Sequence, residues 1–403
     1  MEKRDPHRRL EPLPSGIGPA AATGGACGVY VHVPFCERRC AYCDFFSTTE
    51  GAPARAAYVT ALTAEAALRA PEVKGRRVAT LYVGGGTPSL LGGALLGNMM
   101  AQLRRSFPLA DDAEVTLEAN PDDVTPQLAA QLVEMGVNRV SLGIQTFDDA
   151  CLRLLGRRHT GAEAVAAVEC LAKTGFDNLS VDLIYGLPGQ TLAQWQADVA
   201  RALSLPVAHL SAYALTYEAG TRLTAWRDTG RVAEADEELS LAMFAHLIDA
   251  TEAAGMKHYE LSNFARPGRH SRHNAAYWDG TPYVGLGPGA HSYDGAATRR
   301  RNLPRLAAYL SADGGDVPHE VEHLSAGERC DERVMLSLRT SQGLDMAALE
   351  RDFGWERAEA VRRGARRHLQ RGLLEQRADR LVLTRRGLFL ADFVTRDLML
   401  AAE

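Results

Sequence analysis

The sequence predicts an α/β fold: a partial or full (β/α) barrel followed by a small C-terminal winged-helix-like α+β domain. Three observations predict it. Short β-branched runs alternate with longer Ala- and Leu-rich segments of helical period from about residue 27 to residue 265. Glycine-rich and polar motifs follow several of those runs directly, where a barrel gathers its active site. Beyond about residue 305 the alternation gives way to helices and a closely spaced strand pair. With 403 residues, 46% of them hydrophobic, the chain can fill one large core and one smaller one.

Residues 1–26 mix charges with Pro, Gly and Ala without periodicity and read as a disordered leader. The barrel is assigned to 27–265, with strands at 29–34, 79–83, 114–119, 139–144, 179–185, 209–215 and 258–262. Between them, 54–69, 126–135, 162–174 and 236–254 carry apolar residues at helical spacing. This amounts to roughly six βα repeats. Residues 266–304 read as a linker carrying binding motifs, and 305–403 as the C-terminal domain. That domain has a strand pair at 373–375 and 380–383 and a last helix from Gly387. Arg362, Arg363, Arg366 and Arg367 are flanked by Glu356, Glu359 and Glu375, the pattern of a solvated helix face rather than a nucleic-acid surface.

A formal charge of −5 and a pI near 6.2 argue against nucleic acid as a partner, because binding to phosphates needs concentrated Lys and Arg. No stretch approaches the ~20 apolar residues of a transmembrane segment, and residues 1–26 lack the apolar core of a secretory signal. A cytoplasmic location is expected. Nothing in the pattern fixes the oligomeric state, and a homodimer stays open.

Of the seven cysteines, three crowd into one short loop, which suits thiolate ligation in a reducing compartment. Cys27, Cys151, Cys170 and Cys330 are scattered and read as packed or surface thiols. Cys36, Cys40 and Cys43 form a C-x3-C-x2-C loop directly after the first strand. Three thiolates can ring a [4Fe–4S] cubane and leave one iron open to an external amino and carboxylate group. A structural zinc site is the alternative; it wants four protein ligands and usually paired knuckles, and His32 sits in the strand. Tyr42, between two of the cysteines, is placed either to pack over a bound adenine or to anchor the loop.

The second strand runs into Gly84-Gly85-Gly86-Thr87-Pro-Ser, where backbone amides and the Thr87 hydroxyl can bond the amino-acid end of a cofactor. Glu118 and Asn120 close the third strand, Gln145 closes the fourth, and Asp182 lies in the fifth. Polar groups at barrel strand ends cost about 1–3 kcal/mol each unless paired, so their recurrence points to a polar ligand or to a network that satisfies itself.

These residues resemble the coproporphyrinogen-dehydrogenase-like radical S-adenosylmethionine (SAM) family, and within it the heme-chaperone branch more than the dehydrogenase branch. The resemblance runs from about Tyr30 to the C-terminus. It rests on the cysteine loop, Gly84-Gly-Gly-Thr-Pro-Ser, Leu117-Glu-Ala-Asn-Pro, Arg139-Val-Ser-Leu-Gly-Ile-Gln-Thr-Phe, Asp182-Leu-Ile-Tyr-Gly-Leu-Pro and Tyr259-Glu-Leu-Ser-Asn-Phe-Ala. It implies a barrel of radical SAM type with a HemN-like C-terminal domain, a [4Fe–4S] cluster and SAM. The implied cofactor contacts are Tyr30, Gly85, Gly86, Thr87, Glu118, Gln145, Arg157, Asp182, Ala214 and His291.

Two departures separate the chain from the dehydrogenases. Phe45 stands where they carry a further Cys, and the leader is short where theirs is extended. In addition, Ser271-Arg-His273-Asn274-Ala-Ala-Tyr277-Trp278 resembles the H-N-x-x-Y-W signature of the heme-binding branch. Imidazole is a good axial ligand to heme iron, and adjacent aromatics pack on a macrocycle. The alternative is that His273 bonds a neighbour and Trp278 fills core. The expected function is a chaperone that binds heme and delivers it to acceptor proteins at the membrane face. Oxygen-independent coproporphyrinogen III dehydrogenation is the second reading, and no catalytic residue is assigned.

Overall fold

The computed structural model describes residues 25–312 and 315–399. The leader expected at 1–26 lies outside them except for its last two residues, and Ala26 already opens the first strand.

Six parallel strands lie side by side in chain order: β1 (Ala26–Val33), β2 (Arg77–Gly85), β3 (Leu109–Ala119), β4 (Arg139–Gln145), β5 (Leu179–Tyr185) and β6 (His209–Ala214). Interleaved with them are α1 (Ala52–Arg69), α2 (Gly92–Ser106), α3 (Pro126–Glu134), α4 (Asp149–Leu155), α5 (Gly161–Lys173), α6 (Leu192–Ser204), α7 (Arg222–Asp228) and α8 (Glu237–Ala253). Starts are set locally. Thr160 with Glu163, and Thr191 with Gln194, close reciprocal capping boxes at α5 and α6.

A period of two sorts each strand between helices and barrel interior. In β4, Val140, Leu142 and Ile144 are fully buried in the core shared with the helices. Their neighbours Arg139, Ser141, Gly143 and Gln145 face the interior. The interior is therefore polar, unlike the branched apolar layers that fill many (β/α) barrels.

Two expectations change. The run at 258–262 does not pair as a seventh parallel strand: its first three residues lie in β7 (Lys257–Glu260), 261–262 form a turn, and β8 (Asn263–Ala265) pairs antiparallel with both β7 and β6. Nor is 266–304 a linker. It holds α9 (Arg272–Asp279), β9 (Tyr283–Leu286), β10 (His291–Tyr293) and β11 (Thr298–Asn302), with β9 paired in parallel to β1. After α10 (Leu306–Leu310), β12 (His319–His323) pairs with β11, so the large sheet continues past residue 305. Strands this short and polar, such as Thr-Arg-Arg-Arg-Asn, carry no apolar alternation to announce them. The full order is β12-β11-β10-β9-β1-β2-β3-β4-β5-β6-β8-β7, an open sheet and hence a partial barrel.

The C-terminal domain comprises α11 (Ala326–Leu338), β13 (Leu344–Asp345), α12 (Met346–Phe353), α13 (Trp355–Gln370), β14 (Leu374–Arg377), β15 (Arg380–Leu383), α14 (Arg385–Leu388) and α15 (Ala391–Leu398). Its antiparallel sheet, β13-β15-β14, and its helices share a separate core around Val334, Leu349, Val361 and Val394. On α13, Arg362 pairs with Glu350 at 2.6 Å, Arg366 with Glu359 at 3.5 Å, and Arg367 with Asp397.

One buried knot holds the added strands to the barrel. Glu65 of α1 is 1% exposed and accepts hydrogen bonds from the Gly287 amide (2.8 Å), the Asn302 amide group (2.7 Å) and the Tyr309 hydroxyl (2.8 Å). Arg69, one turn on and 2% exposed, lies 3.5 Å from it. Removing one partner of such a buried network costs about 3–5 kcal/mol, because the others are left unpaired in a dry interior. Glu65→Ala is therefore expected to lower unfolding stability by about that amount, measured as a shift of the urea midpoint.

Candidate functional site

A cavity of about 2080 Å³ opens at the carboxyl ends of the barrel strands and extends between the barrel and the C-terminal domain. Every site residue named from the sequence lines it.

The cysteine loop is pinned by backbone bonds before any ligand is considered: Cys36 N–H to Thr48 O (2.9 Å), Thr48 N–H to Pro34 O (2.7 Å) and Ala41 N–H to Leu155 O (2.8 Å). Tyr42 packs on Cys151, Leu155, Ile184 and Leu187, so its ring anchors the loop. The Thr87 hydroxyl donates to Cys36 Sγ at 3.6 Å and Arg157 Nη1 to Cys40 Sγ at 3.5 Å, and Cys43 accepts from the Phe45 amide. Donors to each sulfur are what cluster thiolates require around them. Burial pushes the Cys43 thiol up to about 11 and also raises Cys36, with the neighbouring thiols adding to both. The Cys36 and Cys43 thiols accordingly hold protons that cluster assembly releases. Among the described residues no three His, Cys, Asp or Glu side chains gather into a single-ion site. A cubane spreads its ligands over several irons, and three half-buried sulfurs around one cavity suit it.

The glycine triplet serves the loop more than a ligand. The amides of Gly85, Gly86 and Thr87 donate to Glu118 Oε2 (3.0 Å), Val33 O (2.7 Å) and Phe35 O (2.7 Å). These amides are bonded to β3, β1 and the cysteine loop, while Gly85, Gly86 and Thr87 line the cavity. A Cβ on Gly86 would fall 2.7 Å from Phe35 O. Gly85 has φ +106°, and a Cβ there would meet the His32 ring at 2.5 Å.

Glu118 and Asp182 face the cavity as a pair of carboxyls. Glu118 accepts from Tyr82 Oη at 2.6 Å; Asp182 accepts from Ser141 Oγ at 3.1 Å and from Ser211. Burial raises the pKa of both, and the Asp182 charge raises Glu118 further. Arg157 joins this pair to the loop, donating to Asn120 Oδ1 (2.7 Å) and Gly143 O (2.5 Å) as well as to Cys40. Gln145 holds φ +73° at the end of β4, a conformation costly for a side chain and typical of binding sites. Tyr30 Oη lies 3.1 Å from His32 Nδ1, whose Nε2 meets Phe46 O at 2.8 Å. Ala214 and His291 stand at the rim.

Helix α9 brings the remaining residues to the same cavity. Ser271 caps it, and the Glu114 carboxylate on β3 accepts from the Arg272 and His273 amides at 3.0 Å each, a negative charge on a helix N-terminus. His273 is 1% exposed; its Nδ1 meets Thr80 Oγ1 at 2.8 Å and its Nε2 meets Tyr277 Oη at 2.9 Å. Its ring stacks on Tyr82 with centroids 5.1 Å apart. Burial, with the Arg139 charge adding, holds the His273 pKa at about 3, so the imidazole is neutral at physiological pH. The neighbour-bonding alternative for His273 describes its present contacts. Trp278 Nε1 is buried without an acceptor among the described residues.

Several cavity residues escape sequence reading. His32, set aside as a strand residue, faces the interior, and Arg139 is visible only as the first of four alternating inward positions. Arg329, Arg333, Arg339, Phe353 and Phe393 come from the C-terminal domain, and no local motif marks them.

A family model for the radical SAM superfamily matches residues 30–202, and one for the HemN C-terminal domain matches 324–390. The chain is 44% identical to the heme chaperone HemW of Mycobacterium tuberculosis strain H37Rv, over 95% of this chain and 97% of that one. It is 33% identical to the Bacillus subtilis heme chaperone HemW, over 91% and 97%. Among solved structures, Escherichia coli coproporphyrinogen III oxidase HemN, a radical SAM enzyme, superposes with a TM-score of 0.80 at 24% identity, covering 94% of this chain and 90% of that one.

Anaerobic reconstitution should load ~4 irons per chain, and Cys36→Ala, Cys40→Ala or Cys43→Ala should each abolish the cluster by iron assay and absorption. Cys27→Ala should leave iron content unchanged. Glu118→Gln should keep the cluster and weaken SAM binding by about 1–3 kcal/mol in calorimetric titration.

Proposed function

The chain belongs to the HemW family of radical SAM proteins, and on that premise we propose that it is a heme chaperone, binding heme beside a [4Fe–4S] cluster and SAM and passing heme to acceptor proteins. The observation that carries the proposal is continuity. The cysteine loop, the carboxyl pair and the His273-Asn274-x-x-Tyr277-Trp278 helix line one cavity of about 2080 Å³, larger than the ~300–1,000 Å³ usual for a small-molecule pocket. A cofactor at the cluster and a macrocycle near α9 can share it.

The cluster, when bound, supplies an electron and an open iron. Around it, Arg157 neutralises thiolate and cofactor charge from its place beside Cys40, while Glu118 and Asp182 offer acceptors to the polar groups of SAM. His273 is neutral and can donate to iron without first losing a proton. Its Nε2 is held by the Tyr277 hydroxyl, so ligation needs that bond to open. Tyr277 and Trp278 provide aromatic surface for a macrocycle. We place the acceptors at the membrane face, among respiratory proteins. No described helix is long and apolar enough to cross a membrane, so delivery would proceed from the membrane surface.

Phe45, 61% exposed at the cavity rim, supports delivery over dehydrogenation, since dehydrogenases carry a Cys there. The test is direct. Purified protein titrated with heme should develop a Soret band that His273→Ala removes or shifts and Tyr277→Phe retains. Under anaerobic reduction with SAM, coproporphyrinogen III should remain unconverted; formation of protoporphyrinogen IX would overturn the chaperone reading.

A further inference from the structure

Arg139 opens β4 with its side chain inside the barrel, where it is 1% exposed and lines the cavity. Its Nε and Nη1 have no hydrogen-bond acceptor among the described residues. Thr116, its direct partner in register on β3, is fully buried, and its Oγ1 also has none. Buried polar groups are nearly always paired, and an uncompensated buried guanidinium is among the costliest exceptions. The unpartnered nitrogens of Arg139, which face the cavity, point to an acceptor from outside the chain; Thr116 is not among the residues that line the cavity.

We propose that Arg139 is a carboxylate receptor in the wall of the cavity, and that the carboxylate it takes is a propionate of the tetrapyrrole. The inference rests on the heme-chaperone reading and adds the group by which heme is gripped. Guanidinium is suited to this role, because its planar fork matches a carboxylate with two parallel N–H donors.

Position separates this receptor from the cofactor's own carboxylate. Arg157, which contacts Cys40, bonds Gly143 O near the upper end of β4. The Arg139 backbone lies four residues lower on the same strand, about 13 Å from Gly143 at ~3.3 Å per residue. Arg157 is the guanidinium in contact with the cysteine loop. The register sets Arg139 level with Thr116 and Tyr82, and His273 stacks on the Tyr82 ring, so the receptor and the H-N-x-x-Y-W helix share one level of the barrel.

The competing account makes Arg139 a through-space counter-charge to Glu118 and Asp182, both of which feel it. Neither carboxyl is hydrogen-bonded to it; they are satisfied by Tyr82, Gly85, Ser141 and Ser211. A counter-charge also leaves Arg139 Nε and Nη1 without an acceptor among the described residues.

The experiment compares iron protoporphyrin IX with its dimethyl ester, titrated into the full chain in detergent buffer and followed by the Soret band. The wild type should prefer the diacid by roughly tenfold to a hundredfold, the range of a hydrogen bond to a charged group. Arg139→Gln should bind both forms alike, and Arg139→Lys should keep part of the preference. Equal binding of diacid and diester by the wild type would overturn the proposal, even if Arg139→Gln fails to fold. An undiminished preference in folded Arg139→Gln would overturn it too, whether SAM affinity falls or holds; a fall would assign Arg139 to the carboxyl pair. If the wild type binds neither form, the heme-chaperone reading itself is lost, an outcome distinct from equal binding of both.

Discussion

A polar side chain inside a helix-wrapped parallel sheet has no bulk water to turn to, and this one constraint organises the molecule. The outward positions of β1–β6 are apolar and seal against helices, so the inward positions are free to be chemical. Each must then find a partner from another strand, from the cysteine loop or from a ligand. Glu118 takes Tyr82 and a glycine amide; Asp182 takes two serines; Arg157 takes a sulfur, an amide oxygen and a carbonyl. The site is this set of obligations, held in register by the sheet.

The same constraint explains the glycines at the end of β2. They let the strand end close on Val33 and Phe35, which fixes the path of the chain from β1 to Cys36. Positioning of the sulfurs is thus a backbone property. Thr87, donating to Cys36 Sγ, and Arg157, donating to Cys40 Sγ, are the side chains that adjust the charge there. A glycine run after a strand has a different physical meaning from what its composition alone suggests.

Much of the barrel is legible in the sequence because its strands are β-branched and its helices periodic: β5 spans Leu179–Tyr185, the segment its pattern outlines, and β4 differs by a single residue. The cysteine loop and the strand-end polar residues are legible because motif and position coincide. What escapes is whatever depends on distant pairing. Strands β9 to β12 are three to five residues long and draw their order from neighbours, β9 from β1 and β12 from β11. The cavity wall supplied by Arg329, Arg333 and Phe353 belongs to a helical domain whose local pattern says only that it has a core. The seventh run does not reach β6 because β8 lies between them and pairs antiparallel with both, a choice made by tertiary contact and not by propensity.

The pairing of β1 with β9 sets Gly28 against Tyr283, and Glu65 finds its partners only at Gly287, Asn302 and Tyr309. During synthesis the first strand and the cysteine loop emerge early, while the segments that cover them come from the last third of the chain. Until then β1 has an open edge, and the loop lacks part of the wall that shields it. Completion of the barrel is thus a late event in the life of the nascent chain, and stable burial of a metal cluster must follow it, when most of the polypeptide has left the ribosome.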